Sequence, residues 1–166
     1  MRQVSHLVLM VLLAVVTGCA APAPVCPYTG LADYAPSAGC LALVHGRALV
    51  VQSRLGGIGP PGGSAREGES AQCTAHRETL EETGLNLMPE RLLHTFDTGF
   101  NLYLCDIHAG SGTIDPVHID EVKQAFWLPV DEFDQHTWRF SGQGEALREL
   151  LLQLTLQRSS NSDERH

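Results

Sequence analysis

The stretch Gly62–Leu85, GGSAREGESAQCTAHRETLEETGL, concentrates five glutamates and two arginines in a glycine-bounded loop and helix. Pro60-Pro61-Gly62-Gly63 reads as a turn in which two residues tolerate positive φ, so the backbone can fold back and expose carbonyls. Helix formers run from Glu69 to Thr83, and Gly84 stands where a left-handed C-terminal cap belongs. At helical spacing Glu78 and Glu82 lie one turn apart on one face with Glu81 beside them, and Ala71, Thr74 and Ala75 continue that face as small residues. Like charges so placed cost an isolated helix a few tenths of a kcal/mol each, a cost that a bound divalent cation removes. Hard oxygen donors favour Mg²⁺ or Mn²⁺ over zinc. A solvated acidic face is the alternative reading.

The spacing resembles the Nudix box, G-x5-E-x7-R-E-U-x-E-E-x-G-U with U aliphatic, at Gly63, Glu69, Arg77, Glu78, Glu81, Glu82, Gly84 and Leu85. Thr79 departs from it, standing where an aliphatic residue is usual, although threonine keeps the branched shape and can bond back to a carbonyl. The resemblance implies an α/β fold, an α/β/α sandwich with a mixed central sheet, and a metal-dependent hydrolase of diphosphate compounds. It implies Glu78 and Glu82 as ligands of Mg²⁺ or Mn²⁺, Glu81 as a third or water-mediated ligand, and the Gly62 carbonyl as a further oxygen. Glu69 and Arg77 would form a supporting pair that holds the ligand helix against the loop. The general base is assigned to Glu121 first and Glu81 second; Asp120 and Glu121 read equally well as a polar loop. Arg54 is placed to meet a phosphate, against the reading of an ordinary surface arginine. Tyr103 lies eighteen positions after Leu85, a spacing similar to that of the tyrosine in dinucleoside polyphosphate hydrolases; a strand tyrosine packed in the core is the competing reading. The family divides among nucleoside triphosphates, dinucleoside polyphosphates, nucleotide sugars, ADP-ribose and CoA through residues outside the box, so the substrate stays open. A non-catalytic binding module of the same fold is the alternative function. Loss of a box glutamate would mark it, and none is lost.

The chain begins with Arg2, an apolar run from Leu7 to Val16, and Thr17-Gly18-Cys19, the layout of a secretory signal too short to span a bilayer comfortably. Val16-Thr17-Gly18-Cys19 resembles the bacterial lipobox, which implies acylation of Cys19 and a membrane-tethered protein; cleavage after Ala20 or Ala21 is the alternative. Ala20 rather than Asp after the cysteine resembles the outer-membrane pattern, so the expected site is the periplasmic face of that membrane. Residues 1–18 are thus read as signal peptide, 19–37 as lipidated cysteine and Pro/Ala/Gly-rich tether, 38–158 as the hydrolase domain and 159–166 as a flexible tail. In such a location envelope diphosphates, scavenged nucleotide sugars or dinucleotides are the expected small-molecule substrates.

The formal net charge of −8 argues against a nucleic-acid-binding face but admits a phosphorylated substrate screened by metal. No oligomeric state follows from the sequence. Cys26, Cys40, Cys73 and Cys105 are even in number and admit three full pairings, with Cys40 and Cys105 reading as small buried hydrophobes in strand-like runs. A Cys73–His76 nucleophile–base pair within the helix lacks a third group to orient the base. Cys40–His45 and Ala48–Ser53 read as a hairpin turning at His45-Gly46-Arg47, and Leu92–Phe96, Leu102–Ile107 and Val122–Val130 as further strands. Ser141–Gln157 reads as a helix with Leu147, Leu150, Leu151 and Leu154 on one stripe and Ser141 as cap.

If Cys19 is the acylation site, Cys19→Ser leaves the precursor unprocessed by the lipoprotein route and unlabelled by radioactive palmitate in growing cells. Persisting label would overturn the lipobox reading.

Overall fold

The computed structural model describes residues 25–116 and 120–163. The expected signal peptide, Cys19 and the first residues of the expected tether lie outside the described residues. Among the described residues, no helix is long and apolar enough to cross a membrane.

Among the described residues, eight strands and two α-helices follow the order β1 Ser37–Leu41, β2 Leu43–Val44, β3 Arg47–Ser53, β4 Ile58–Gly59, β5 Gly62–Ser64, α1 Ala71–Thr83, β6 Met88–Thr95, β7 Phe100–Asp106, β8 Val122–Pro129, a 3-10 helix Val130–Gln135, and α2 Gln143–Asp163. One mixed sheet has the order β5-β1-β7-β6, with β1 parallel to β7 and antiparallel to β5. A second joins β2, β3 and β4, with β8 antiparallel to β3. The single strand expected over Cys40–His45 is interrupted at Ala42, because its first half pairs with β7 and its second with β3. Ala42 itself stays bonded, its carbonyl accepting from the Leu49 amide at 3.0 Å. The hairpin turn falls at His45-Gly46, both at positive φ, as a tight connection between right-twisted strands requires.

Alternation along the strands divides the core into two layers. Ala48 and Val50 of β3 and Leu102 and Leu104 of β7 pack with Leu147, Leu151 and Leu154 of α2. Leu49, Tyr103 and Cys105 face the other way, against Ala71 and Ala75 of α1. The predicted leucine stripe and the small-residue face of α1 therefore each cover one side, giving the helix–sheet–helix arrangement. The helix α2 begins at Gln143, after Gly142 at positive φ, so Ser141 lies one residue outside the capping position. It also continues through Asp163, where a tail was expected from residue 159.

Two disulfides, Cys26–Cys73 and Cys40–Cys105, select one of the three open pairings. The parallel register sets Cys40 opposite Tyr103, which brings Cys105, two residues on, to the same face; the pair is therefore cross-linked rather than free. The Cys26–Cys73 bond likewise excludes Cys73 as a free nucleophile, and His76 is instead bonded to Asn86 at 2.8 Å. The bond also fastens part of the expected tether to α1. The Gln72 amide donates to the Leu31 carbonyl and the Asp33 carboxylate, and the Asp33 carbonyl accepts from the Ala71 amide at 2.7 Å. From Cys26 onward this segment is thus part of the folded unit.

Helix α1 is capped by the Ser70 hydroxyl on the Cys73 amide and by Gly84 at φ 77°. Within it Thr79 is fully buried, and its Oγ1 has no partner among the described residues; the expected bond back to a carbonyl does not form. The Thr79 carbonyl instead accepts from the Thr83 hydroxyl. Thr79→Val is isosteric and removes an unsatisfied buried hydroxyl, so it should raise unfolding stability by about 1 kcal/mol, read from urea unfolding midpoints. A loss of stability would show that the hydroxyl is satisfied.

Candidate active site

The order of residues in α1 puts Arg77 and Glu78 in its middle and Glu81 and Glu82 in its last turn, all beside the short strand β5. Arg77 is largely buried and uses every N–H it has. Its Nε and Nη2 donate to the two oxygens of Glu69, both at 2.9 Å, and Nη2 also donates to the Ser64 carbonyl at 2.9 Å. Its Nη1 donates to Glu78 at 2.7 Å and to Glu81 at 3.0 Å. The expected bidentate Glu69–Arg77 brace is therefore present, and the i,i+4 contact with Glu81 accompanies it. Arg77 holds the Glu69 carboxyl down at about 2, and Glu69 foremost, with Glu78, holds the guanidinium proton more firmly than usual.

Glu78 and Glu82 are only 8% and 5% exposed. A side chain at Gly63 would run into the Glu78 carboxylate, so glycine is what lets that carboxylate lie against the β5 backbone. The Gly62 amide donates to Glu82 Oε2 at 2.8 Å. At Gly62 the φ of 155° and the close approach of the Ala38 carbonyl leave no room for a β-carbon. Burial pushes the Glu78 carboxyl up against the pull of Arg77. Burial pushes Glu82 up to about 7, offset by the Gly62 amide and by the charge of Arg139, and raised further by Glu78 and Glu121.

The structure thus brings Glu69, Arg77, Glu78, Glu81, Glu82 and Gly62 together. Glu121, the residue before β8, adds its negative charge to the field at both Glu78 and Glu82. Arg54 leaves β3 in the loop to Gly57, on the same side of the fold as β4. Tyr103 is not among them: it is 1% exposed, packed under α1, and its hydroxyl donates to Asp33 at 3.0 Å. Arg139, whose field reaches Glu82, was missed by the sequence reading. It stands in the irregular segment between the 3-10 helix and α2, where only the run Trp138-Arg139-Phe140 hints at a binding loop.

Among the described residues, no three acidic, histidine or cysteine side chains are drawn together as a ready-made metal cage. Arg77 and the Gly62 amide hold the carboxylates instead. The donor set nonetheless fits a divalent cation. It consists of hard carboxylate oxygens, two of them on buried groups whose ionised forms are disfavoured without added positive charge.

A protein-family model described as the NUDIX domain matches residues 33–150. No curated protein matches the chain. Solved structures of similar fold include an ADP-ribose pyrophosphatase from Streptococcus suis, at 20% identity and TM-score 0.55, over 70% of this chain and 85% of that one. A UDP-X diphosphatase matches at 20% identity and TM-score 0.58, over 80% and 68%. A putative family member from Chromobacterium violaceum matches at 25% identity and TM-score 0.52, over 81% and 98%.

Without metal, Glu82 keeps its proton in the folded protein up to about pH 7, against its ordinary value of 4.5. The folded state binds more protons between those limits, so the stability this group contributes is complete below 4.5 and lost as pH rises through 7. In excess chelator Glu82→Gln should match the wild type near pH 4.5 and exceed it by up to about 3 kcal/mol near pH 8. Helix-pair repulsion alone implies only about 0.5 kcal/mol. Denaturant unfolding at both pH values measures the gap, and curves that stay parallel would refute a buried, proton-holding carboxylate.

Proposed function

The chain belongs to the Nudix family of hydrolases, and from that premise we propose that it cleaves a diphosphate linkage at the cell envelope. The substrate is a nucleoside diphosphate joined to a second moiety, or another diphosphate compound, and hydrolysis uses Mg²⁺ or Mn²⁺. The observation that carries the reading is the pairing of buried Glu78 and Glu82 with the Gly62–Gly63 backbone, held in register by the Glu69–Arg77 brace. A solvated acidic face would neither bury these groups nor anchor them. Relatives in fold named for ADP-ribose and UDP-X lend support to a nucleotide-linked diphosphate. Tethering through Cys19 at the periplasmic face of the outer membrane is part of the proposal and rests on the lipobox resemblance.

In this mechanism Glu78 and Glu82 would hold the cation, with Glu81 and the Gly62 carbonyl as further oxygens. When bound, the cation withdraws charge from the phosphate oxygens and makes water a stronger nucleophile at neutral pH. The chain's own groups do the positioning. The Gly62 amide fixes one oxygen of Glu82. Arg77, locked on Glu69, keeps Glu78 and Glu81 from swinging away as charges rearrange. Glu121, whose charge acts on both ligands, is the first candidate to take the proton from the attacking water, with Glu81 as the second. Positioning the water in line with a phosphorus atom supplies much of the rate.

Purified protein assayed against a panel of diphosphate compounds should release monophosphate with Mg²⁺ or Mn²⁺, less with Ca²⁺, and not at all in excess chelator. Glu82→Gln should cost at least two orders of magnitude in kcat/KM, about 3 kcal/mol of transition-state stabilisation. Turnover that survives chelation, or a Glu82→Gln protein at wild-type rate, would sink the mechanism.

A further inference from the structure

We propose that Val25, Leu31 and Tyr34, held around the first turn of α1, form a lipid-facing patch that rests in the headgroup region of the bilayer and orients the domain over it. The inference rests on the proposed acylation of Cys19 for the identity of the surface, and it goes beyond that anchor in naming the face of the fold that touches lipid.

The three side chains are open to solvent although their backbone is fixed. Val25 is 89% exposed, Leu31 92% and Tyr34 74%. Cys26, next to Val25, is bonded to Cys73. The Leu31 carbonyl accepts from the Gln72 side-chain amide at 3.2 Å. Asp33, one residue before Tyr34, is tied through each of its polar groups. Its amide donates to Gln72 Oε1 at 3.0 Å, its carbonyl accepts from the Ala71 amide, and its carboxylate accepts from Gln72 and from the Tyr103 hydroxyl, both at 3.0 Å. The partners on α1 are therefore Ala71, Gln72 and Cys73, one turn of the helix. Ordering this segment costs conformational entropy, and these three side chains recover none of it by burial among the described residues. Covering them with an apolar phase does.

The chain leading into the patch says what that phase is. Cys19 lies six residues before Val25, a span of about 21 Å when fully extended. A domain of this size is about 35 Å across. With acyl chains on Cys19, the α1 side of the fold can meet the bilayer and the α2 side, which covers the opposite face of the sheet, cannot turn down to it. The exposed Leu152 and Leu156 of α2 are thus out of reach of the membrane. The chemistry of the segment suits an interface. Between Ala20 and Ser37 its one charged residue is Asp33, whose carboxylate is already hydrogen-bonded. Tyrosine, with an apolar ring and a polar tip, favours the headgroup level. Glu82 stands ten residues beyond Gln72, about 15 Å along the helix, so docking this turn holds the acidic site close to the lipid surface.

The test uses the full chain as cells make it, reconstituted in vesicles of phosphatidylethanolamine and phosphatidylglycerol whose acyl chains are brominated near the headgroup, where bromine quenches tryptophan on contact. Tyr34→Trp should lose about half or more of its added emission relative to unbrominated vesicles, with the signal of Trp127 and Trp138 in the wild type subtracted. Leu152→Trp, on α2, should lose less than about a tenth. Leu31→Asp placed on the Tyr34→Trp chain should restore most of the lost light, while thermal unfolding without vesicles follows the wild type because Leu31 is exposed. Unquenched Tyr34→Trp, equal quenching of Tyr34→Trp and Leu152→Trp, or no recovery with Leu31→Asp overturns the patch. Unquenched Tyr34→Trp in a chain that sediments as a dimer assigns these residues to a second copy instead. Palmitate labelling separates the patch from the anchor. A labelled chain with unquenched Tyr34→Trp keeps the anchor and loses the patch; an unlabelled chain that is quenched in the same vesicles keeps the patch and loses the anchor.

Discussion

Arg77 is the side chain on which the rest of the site depends. A guanidinium has five N–H groups, and here each has an acceptor: two go to Glu69, one each to Glu78, Glu81 and the Ser64 carbonyl. A largely buried cation with an unmet donor would be costly, and so would the buried Glu78 carboxylate and its half-buried neighbours Glu69 and Glu81 with no cation. Each side of the network makes the other tolerable. The network also spans three pieces of chain, the loop before α1, the helix itself and β5, so the geometry of the acids is fixed by a single planar group rather than by many weak contacts.

The same arrangement explains why glycines stand opposite the acids. Glu78 reaches the β5 backbone only because Gly63 has no side chain, and Gly62 packs against the Ala38 carbonyl at a φ few residues adopt. Burying Glu78 and Glu82 there lifts both carboxyls above their ordinary range. The metal-free protein therefore carries a stability cost at neutral pH that a bound cation would reverse. Placing strain where chemistry needs charge is a common compromise between stability and activity.

The sequence made these features legible to different depths. The Gly84 cap and the α2 leucine stripe follow from residue type and local period and the Glu69–Arg77 brace from the family resemblance of the box, and the structure contains each of them. The features it hid are long-range. The break of the first strand at Ala42 arises because two different partners, β7 and β3, compete for one run of apolar residues. The disulfide pairing depends on the β1–β7 register and on where Cys26 meets α1, neither of which is local. Tyr103 has a spacing suited to the site, yet the period-two alternation of β7 turns it beneath α1, in the same layer as Cys105. Arg139 comes from an irregular segment with no periodic signal, and its backbone bond to Ile58 is what sets it along β4.

The Cys26–Cys73 bond changes what the N-terminal segment means for a protein held at a surface. Along the chain, the catalytic helix lies far downstream of Cys19; through the disulfide, the path from Cys19 to α1 is about seven residues. Fully extended, such a leash reaches about 25 Å. With a lipid on Cys19, as proposed, the enzyme would sweep a thin shell over the bilayer rather than a wide hemisphere. Its effective concentration toward substrates released at or displayed on that membrane would rise accordingly. Reduction of one covalent bond would lengthen the leash and dilute the enzyme away from that layer without altering a single group of the acidic site.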